Sequence, residues 1–391
     1  MNTQGKSPDY SINKERIAIV VTSPMITKFF LIPHIKYLSK YYDLTLITNM
    51  EHPSDFLNDV LNEIKIIDIR IQREISIIED LSALLKLVQH FRKINYDIVY
   101  SITPKGGLLA TIAARLSGVP VRIHTFTGQV WATSIGLKKY VLQFMDTLIS
   151  LMASFILVDS VSQRDYLLSH GIIIKDKSAV LASGSISGVN MERFRPSEDS
   201  RRLFRSKMQI RVNDIVFLYL GRLKKDKGIY DLFEAYEKLV KVYPTRTRLV
   251  VAGPDEEGIL NTLKANSSID NLDIIFLSYT SKPESVISAA DVLCLPSYRE
   301  GFGNVVLEAA SMSIPSICTK IYGLTDAIVE DETGLSVEPG NVQNLFLKMK
   351  MMVSDDLLRK ELGKNARNRV ANSFRESILT NEFKSFLDRK I

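Results

Sequence analysis

The sequence predicts an α/β protein with two facing Rossmann-like doubly wound domains and a cleft between them. Short apolar runs rich in β-branched residues alternate with helical stretches as far as residue 183. A segment rich in Ser, Gly and Pro, "SGSISGVNMERFRPSED", interrupts this pattern at residues 183–199, and the alternation restarts after it. The length of 391 residues also favours two domains over one. Such alternation is typical of parallel sheets covered on both faces.

The strands of the first domain are predicted from runs that are nearly all apolar, as burial on both faces requires. In chain order these are "RIAIVVTS", "DLTLITN", "IKIIDIRI", "DIVYSIT", "VRIHTFT", "FILVDS" and "SAVLAS". The second sheet is predicted from "DIVFLYLG", "RLVVAGP", "DIIFLSY", "DVLCLPS" and "PSICTK". We expect a first domain over residues 1–190, a second over 191–375, and a C-terminal helix at 376–391 that packs back towards the first domain.

Composition and motif searches disfavour several classes of protein. Cys294 and Cys318 lie in apolar runs, so we expect them to be buried rather than bound to metal or paired in a disulfide. Free buried cysteines predict a reducing, cytoplasmic setting. The start "MNTQGKSPDYSINKER" lacks a secretion signal and no apolar run approaches the ~20 residues that span a bilayer, which predicts a soluble or peripheral protein. No metal-binding spacing, nicotinamide fingerprint or Walker A motif is present.

The net charge of +6 indicates an anionic partner, and charge alone does not choose among nucleic acid, a membrane surface and a phosphorylated substrate. The single Trp131 is too little for an aromatic platform that binds nucleic acid, so no nucleic acid is expected.

A glycine turn followed by a helix is the first candidate site, because ligands bind beyond the carboxyl ends of strands in such sheets. In "LPSYREGFGN" the chain turns through Gly301 and Gly303 into a helix that begins near Asn304, a residue that favours the N-cap. Glycine lets backbone N–H groups approach a ligand, and a helix N-terminus favours phosphate. Glu300 and Glu308 can accept hydrogen bonds from paired hydroxyls, which suits a nucleotide sugar. The alternative is an ordinary strand-to-helix connection with a solvated glutamate.

A second loop, "GRLKKDKG" at residues 221–228, places several cations at the same edge of the same sheet. Arg222 suits bidentate contact with a phosphate, and Lys227 suits a point-charge contact. Lys224 and Lys225 have the alternative of being solvated. Together, the two loops predict a diphosphate site.

Five stretches resemble, in order and spacing, the nucleotide-sugar domain of glycosyltransferase family 4, whose members are retaining enzymes with the GT-B fold. They are "GRLKKDKG", "VVAGP", "FLSY", "LPSYREGFGNVVLEAASMSIPSIC" and "GLTDAIVEDETGLSVEPGN". The two glutamates eight positions apart are that family's best-known signature. Upstream, "TPKGGLLATIAARLSGVPVRIHTFTGQVWA" resembles the acceptor domain of bacterial members that build O-antigen, capsular or protein-linked glycans on a polyprenyl-diphosphate carrier.

The resemblance implies a hexosyl- or N-acetylhexosaminyltransferase that keeps the anomeric configuration. No Asp-x-Asp stands after a strand to hold a nucleotide-bound metal, so we expect the enzyme to be metal-independent. A nucleoside-diphosphate sugar, with UDP favoured, is then the co-substrate, a lipid-linked saccharide is the acceptor, and no cofactor is expected. Two other functions stay open: a nucleotide-sugar epimerase of the same fold, and a non-catalytic protein that binds nucleotide sugars.

Carried over residue by residue, the resemblance assigns roles in donor binding and catalysis. Arg222 and Lys227 bind the diphosphate, Glu300 holds hydroxyls of the sugar, and Glu308 binds the ribose. The remaining donor contacts are made by the backbone of Gly301, Phe302, Gly303, Asn304, Gly253 and the region of Ser278. This chain departs from the family pattern at Ser278, where a glycine is frequent, and at Ser23, Pro24 and Met25, where many relatives carry a Gly-Gly pair.

In the first domain, His124 matches a histidine that the family places beside the reacting sugar. A neutral or protonated imidazole there would assist catalysis, and a structural hydrogen-bonding role is the alternative. Lys105 precedes a Gly-Gly turn that opens a helix. It is assigned to the acceptor diphosphate, with a solvated lysine as the alternative. Gly128 and Gln129 are assigned to the acceptor site.

Two stretches combine lysines with large apolar residues, which indicates peripheral contact with the inner face of the cytoplasmic membrane. They are "KFFLI" and "GLKKYVLQFMDTLISLMA". For the second stretch, a buried amphipathic helix is the alternative. The sequence therefore predicts a peripheral glycosyltransferase of surface glycan biosynthesis, acting on lipopolysaccharide or capsule precursors.

Overall fold

The protein is described by a computed structural model over residues 14–50, 64–72, 76–265 and 272–390. Most of the N-terminal stretch for which the sequence predicts no secretion signal lies outside these residues. The described residues form two compact units. One contains those within 1–124, 152–154 and 389–391, and the other contains those within 125–151 and 155–388.

The first sheet has seven strands in the order β3-β2-β1-β4-β5-β6-β7. The strands are Arg16–Val20 (β1), Asp43–Thr48 (β2), Lys65–Asp68 (β3), Ile98–Ile102 (β4), Val121–Phe126 (β5), Phe155–Val158 (β6) and Ser178–Ala179 (β7). The pairs β1–β2, β2–β3, β1–β4 and β6–β7 are parallel. The strand order reverses between β1 and β4, as in a Rossmann-like doubly wound sheet.

The second sheet has six strands in the order β10-β9-β8-β11-β12-β13. The strands are Ile215–Leu220 (β8), Thr247–Ala252 (β9), Ile274–Leu277 (β10), Val292–Leu295 (β11), Ser316–Thr319 (β12) and Gly334–Val337 (β13). Neighbouring strands pair in parallel throughout. The order reverses between β8 and β11, so the loops that follow these two strands lie at a topological switch point, where such sheets bind ligands.

Helices connect the strands of both sheets. The first is a helical run, α1, formed by Pro24–Ile26, the π-helical turn Thr27–Leu31 and Ile32–Leu38. The other α-helices in the described ranges are Ile77–Ile94 (α2), Pro104–Leu116 (α3), Gly136–Met152 (α4), Val161–Ser169 (α5), Glu198–Lys207 (α6), Ile229–Val242 (α7), Ile259–Ala265 (α8), Pro283–Ser288 (α9), Asn304–Ser311 (α10), Leu324–Ala327 (α11), Val342–Ser354 (α12), Asp356–Ser373 (α13) and Glu376–Asp388 (α14).

The core of the second sheet follows directly from its apolar strands. Val216, Phe217, Leu218 and Tyr219 of β8 have no exposed surface, as expected of a central parallel strand. Helix α7 covers this sheet with one apolar face, because its buried positions from Ile229 to Leu239 recur at helical spacing. Burying one large apolar side chain of this kind contributes about 1.5–3 kcal/mol.

The predicted fold class is confirmed, since the chain contains two parallel-sheet α/β domains that are each Rossmann-like. Each predicted strand run contains a strand in the structure. Strand β13 was not predicted, because its sequence "GLSV" has only four residues, of which Val337 alone is β-branched and Gly334 and Ser336 are small. Cys294 and Cys318 are fully buried free cysteines, as expected.

The C-terminal helix α14 packs on the end of the first sheet's strand β6. The rings of Phe386 and Phe155 meet edge to face, with centroids 6.1 Å apart. The segment between the two sheets is held by residues at the start of α14 and just before it. The Val189 N–H donates to the Phe374 carbonyl, and the Glu376 N–H donates to the Val189 carbonyl.

Candidate active site

The cationic loop after β8, residues 221–228, lies directly against the end of β11. A short 3₁₀ turn at Lys225–Lys227 ends at Gly228, which has a φ of 66°. A Cβ at Gly228 would overlap the Pro296 carbonyl, so only glycine allows this approach. The Tyr219 hydroxyl donates to the Arg222 carbonyl at 2.7 Å and fixes the start of the loop. The two candidate loops predicted from the sequence are therefore neighbours.

Lys227 and Glu300 join the two loops at their centre. The Lys227 ammonium lies 2.7 Å from Glu300 Oε1 and donates to the Arg299 carbonyl at 3.0 Å. The Ser297 hydroxyl donates to the same Glu300 oxygen at 2.9 Å. Both side chains are largely buried, with 12% and 17% of their surface exposed. A second ion pair also joins the two loops, with Arg299 2.7 Å from Asp226. Here the cation lies beside Glu300, and the anion lies in the cationic loop.

Arg222 and Lys224 contact an acidic segment that sequence reasoning missed. Glu256 lies 3.2 Å from Arg222 and 3.4 Å from Lys224, and Glu257 lies 3.7 Å from Lys224. These glutamates follow β9, the neighbour of β8 in the sheet. The signal was present in the sequence as two consecutive acidic residues beyond a predicted strand.

Gly253 follows β9 and allows two loop backbones to lie in contact. It has a φ of 145°, and a Cβ there would overlap the Gly221 carbonyl. Ser278 follows β10 and is exposed. Both residues thus lie at the carboxyl edge of the second sheet.

Helix α10 begins at Asn304, as predicted, but the prediction that Asn304 is its N-cap is wrong. Gly303, with a φ of 78°, holds that position and makes no side-chain capping bond. The Asn304 side chain instead accepts from the Ser185 hydroxyl at 3.0 Å and donates to Ser187 at 3.2 Å. The Asn304 amide group is therefore hydrogen-bonded to two serines of the segment between the sheets, and it does not cap the helix.

Phe302 presents only its backbone at the glycine turn. Its ring is 2% exposed and packs on Phe374, with centroids 5.5 Å apart. A Cβ at Gly184 would lie 2.6 Å from this ring, so the ring also fixes the segment between the sheets.

Glu308 lies in the second turn of α10, close to charges from two other segments. Burial raises the pKa of Glu308 to about 7, while nearby Arg193 lowers it and Glu284 raises it. Arg193 is itself held by Glu284, with its guanidinium 2.8 Å from the carboxylate. Glu308 is thus a carboxyl group that changes its charge near neutral pH.

Gly128, one of the residues predicted for the acceptor, contacts the loop at residues 300–304 (the sugar loop) through its backbone, and both lie in the same compact unit. Gly128 has a φ of 106°, and a Cβ there would lie 3.0 Å from the Gly301 nitrogen. A Cβ at Gly301 would overlap the Thr127 carbonyl and lie 2.6 Å from Asp159 Oδ2. Gln129 is 1% exposed and accepts from the Gln163 amide at 2.9 Å.

Asp159 is a second residue that sequence reasoning missed. It follows β6 and is 6% exposed. Its carboxylate lies so close to Gly301 that a Cβ there would be 2.6 Å from Oδ2. Burial raises its pKa well above the usual range of a carboxyl group, so it is protonated over more of the acidic to neutral range than a surface aspartate. Its backbone N–H donates to Gln163 at 3.2 Å, which links it to Gln129.

His124 and Lys105 belong to the other compact unit and are both buried. The His124 ring contacts Gly107 at the start of α3, where a Cβ would overlap it, and its Nδ1 lies 3.0 Å from the Ser101 hydroxyl. Burial lowers the pKa of His124 to about 3, which favours the neutral imidazole at pH 7. Lys105 is 9% exposed and lies 2.5 Å from Asp80, so the alternative of a solvated lysine is wrong.

No metal site accompanies these residues in the part of the chain that the structure describes. There, no three His, Cys, Asp or Glu side chains come close enough together to hold an ion.

Comparisons with known proteins match both parts of the chain. Residues 16–156 match the family model described as glycosyl transferase 4-like, and residues 200–369 match glycosyl transferases group 1. The capsular polysaccharide biosynthesis glycosyltransferase CapM of Staphylococcus aureus is 32% identical over 317 residues, covering 81% of this chain and 83% of CapM. The UDP-Gal:alpha-D-GlcNAc-diphosphoundecaprenol alpha-1,3-galactosyltransferase of Escherichia coli is 27% identical, covering 93% of this chain and 94% of that enzyme.

Among solved structures, Anabaena Alr3699/HepE in complex with UDP superimposes with a TM-score of 0.77 at 17% identity. The alignment covers 96% of this chain and 100% of that chain, which confirms the predicted GT-B fold. The chain therefore belongs to the group 1 glycosyl transferases, and its predicted relation to glycosyltransferase family 4 is confirmed.

Proposed function

We propose that this glycosyltransferase moves a hexose or N-acetylhexosamine from a nucleoside-diphosphate sugar to a hydroxyl of a polyprenyl-diphosphate-linked saccharide. UDP is the proposed nucleotide, the anomeric configuration is kept, and no metal takes part. The observation that carries the proposal is the joining of the cationic loop to the sugar loop by Lys227 and Glu300, 2.7 Å apart at the switch point of the second sheet. The names of the Escherichia coli relative and the UDP complex support the same substrates.

The chemical step requires stabilisation of charge on the departing diphosphate. Negative charge grows on the phosphate oxygens as the sugar becomes cation-like, and fixed positive groups aimed at those oxygens lower the barrier most. Lys227 is already oriented by Glu300 and the Arg299 carbonyl, so it needs little reorganisation. Arg222 supplies the second charge. We propose front-face attack by the acceptor hydroxyl, with its proton passing to the departing phosphate.

The other predicted residues keep their proposed roles. Glu300 binds sugar hydroxyls, Glu308 binds the ribose, and neutral His124 offers one hydrogen bond rather than a charge. The backbones of residues 301–304, Gly253 and Ser278 contact the donor. Lys105, Gly128 and Gln129 serve the acceptor; for Lys105 this requires a phosphate to compete with Asp80.

A panel assay tests the proposed function. Radiolabelled nucleotide sugars are incubated with extracted polyprenyl-linked saccharides, with and without EDTA, and the product linkage is read by NMR. We expect transfer from a UDP-sugar with an unchanged anomeric configuration and equal rates in EDTA. An epimerised sugar formed from donor alone, or tight nucleotide binding with no product for any pair, would contradict the proposal.

Donor affinity is expected to increase with pH between about 6 and 8, because the ionised Glu308 accepts two ribose hydrogen bonds and the protonated form accepts fewer. With a pKa of about 7, the ionised fraction rises through this window, and affinity for UDP-glucose should rise by up to about 10-fold. UDP-glucose is the appropriate probe because its phosphates do not titrate there. Calorimetric titrations should show that affinity for UDP-glucose rises with pH in the wild type and does not change with pH in Glu308→Gln. An equal rise in both proteins would show that Glu308 is not the source of the pH dependence.

Helix α4 supplies a surface for the proposed membrane contact. Leu137, Tyr140, Val141, Phe144 and Leu151 are 44–79% exposed and recur at helical spacing on one face. Exposed Lys138 flanks this apolar stripe, which suits an anionic lipid surface. The exposure of this face favours the membrane contact over the alternative of a buried amphipathic helix. No helix in the described ranges has the length and apolarity needed to cross a bilayer.

Replacing Leu137, Tyr140 and Phe144 together by serine should weaken sedimentation with anionic vesicles by at least about 10-fold, because three apolar side chains leave the lipid interface. The matched control is serine at Leu203, Val212 and Leu357, which are 73–90% exposed elsewhere in the same unit. Equal vesicle binding by both triple variants would exclude α4 as the contact.

A further inference from the structure

Glu256 forms ion pairs with two cations of the loop at residues 221–228. The proposed function assigns Arg222 to the donor diphosphate, and Lys224 lies in the same loop. The Glu256 carboxylate lies 3.2 Å from the Arg222 guanidinium and 3.4 Å from the Lys224 ammonium. A carboxylate held between a guanidinium and an ammonium occupies the position that a phosphate oxygen would take. The charges of Arg222 and Lys224 are therefore partly compensated from within the chain.

The segment that carries Glu256 is fixed to the cationic loop by backbone bonds. The Leu223 N–H donates to the Pro254 carbonyl at 2.9 Å, and the Lys225 N–H donates to the Glu257 carboxylate at 3.0 Å. Asp255 shapes the turn by accepting from the Ile259 and Leu260 N–H groups at 2.9 and 3.0 Å. Glu256 is thus delivered to Arg222 by a preorganised turn rather than by chance contact of two long side chains.

The contact is nevertheless weak enough to be displaced. Arg222 and Glu256 keep 38% and 31% of their side-chain surface exposed, so solvent screens the pair. A diphosphate carries at least two negative charges and offers several oxygens to each cation. It therefore replaces a single carboxylate, which then remains close by as a negative charge that repels the ligand.

We propose that Glu256 is an intramolecular competitor for the diphosphate, and that its repulsion favours the nucleoside-diphosphate sugar over the nucleoside-diphosphate product. This inference rests on the proposed function. A sugar ester of a diphosphate carries about two negative charges, whereas the free product gains a further ionisation at its terminal phosphate, whose pKa is about 6. A fixed negative charge beside the site destabilises the more negative product more strongly. Glu256 thereby assists product release and limits product inhibition.

The test compares the wild type with Glu256→Gln, using inorganic pyrophosphate, UDP and UDP-glucose as probes at pH 7.5. We expect the variant to bind pyrophosphate and UDP about 3- to 10-fold more tightly and UDP-glucose by a smaller factor. Product inhibition by UDP should strengthen by the same factor as UDP binding. The control is Glu234→Gln, which makes the same charge change in an i, i+4 pair with Lys238 on α7 and should alter none of these values.

A double-mutant comparison tests whether Glu256 acts through its contact with Lys224. In a Lys224→Met background, the effect of Glu256→Gln should shrink, because one of the two contacts of Glu256 is already gone. Unchanged or weaker pyrophosphate binding in Glu256→Gln would overturn the competitor role, since it would mean that Glu256 only positions Arg222. An equal gain in affinity for UDP and UDP-glucose in Glu256→Gln would overturn the proposal that Glu256 favours the sugar nucleotide over the product.

Failure of the proposed function gives a different set of pyrophosphate affinities among the variants than failure of the inference about Glu256. If Arg222→Ala and Lys227→Ala bind pyrophosphate as well as the wild type, then the diphosphate site itself is wrong. If those two variants lose binding while Glu256→Gln is unchanged, the site stands and only the inference about Glu256 fails.

Discussion

Replacing Lys227 by alanine is expected to lower turnover by at least about 10²- to 10³-fold while the protein stays folded, and Arg222→Ala should act similarly. Lys227 is 12% exposed and held between Glu300 and the Arg299 carbonyl, so its charge is fixed where the two loops meet. Removing a preorganised charge raises the barrier to diphosphate departure more than it weakens ground-state binding. The loss should therefore fall mainly on kcat.

The measurement is steady-state turnover together with thermal unfolding. Lys227→Met keeps the aliphatic stem and separates loss of charge from loss of packing. Lys238→Ala is the matched control, because Lys238 is a half-exposed lysine on α7 whose partner Glu234 lies one turn away. Near wild-type turnover in both Lys227 and Arg222 variants would show that the diphosphate binds elsewhere.

Gly301→Ala is expected to reduce turnover by about 100-fold or more, because the added methyl group has no space. It would overlap the Thr127 carbonyl and lie 2.6 Å from Asp159 Oδ2, so the loop must shift. Glu300, the neighbouring residue, would move with it and lose its place against Lys227 and Ser297. A displacement near 1 Å at reacting groups costs about 10²-fold. Overpacking should also lower the free energy of unfolding by about 1–3 kcal/mol.

Gly118→Ala provides the control for this substitution. Gly118 has a φ of 74° but nothing lies within 4 Å of the position of an added Cβ, so alanine there strains the backbone without pushing on a neighbour. It should lower stability modestly and leave turnover unchanged. If Gly301→Ala behaves like Gly118→Ala, the close packing beneath the sugar loop is not required for activity.

The sequence was sufficient for the fold because burial on both faces makes each parallel strand a continuous apolar run. Strand β13 was missed because it has only four residues and its two apolar positions alternate with Gly334 and Ser336. The meeting of Lys227 and Glu300 was also predictable, since both follow strands that are neighbours at the switch point.

Side-chain partners could not be predicted from spacing alone. Asn304 has the chemistry of an N-cap, but its actual partners, Ser185 and Ser187, lie more than 100 positions away in the sequence. Lys105 has a charge that suits solvent or phosphate, yet helix α2 brings Asp80 to it. For Asn304 the predicted cap is wrong, and for Lys105 only the alternative of a solvated side chain is wrong; in both cases tertiary packing decides between partners that local chemistry leaves equivalent.

The claim on which the account depends is that the loops at residues 221–228 and 300–304 hold a donor diphosphate. The most direct measurement is a crystal structure of the protein soaked with UDP. We expect the phosphate oxygens within hydrogen-bonding distance of Arg222 and Lys227 and of the backbone N–H groups that begin α10, with Glu256 displaced from Arg222. A nucleotide bound away from these loops, with the Arg222–Glu256 and Lys227–Glu300 pairs intact, would contradict the account.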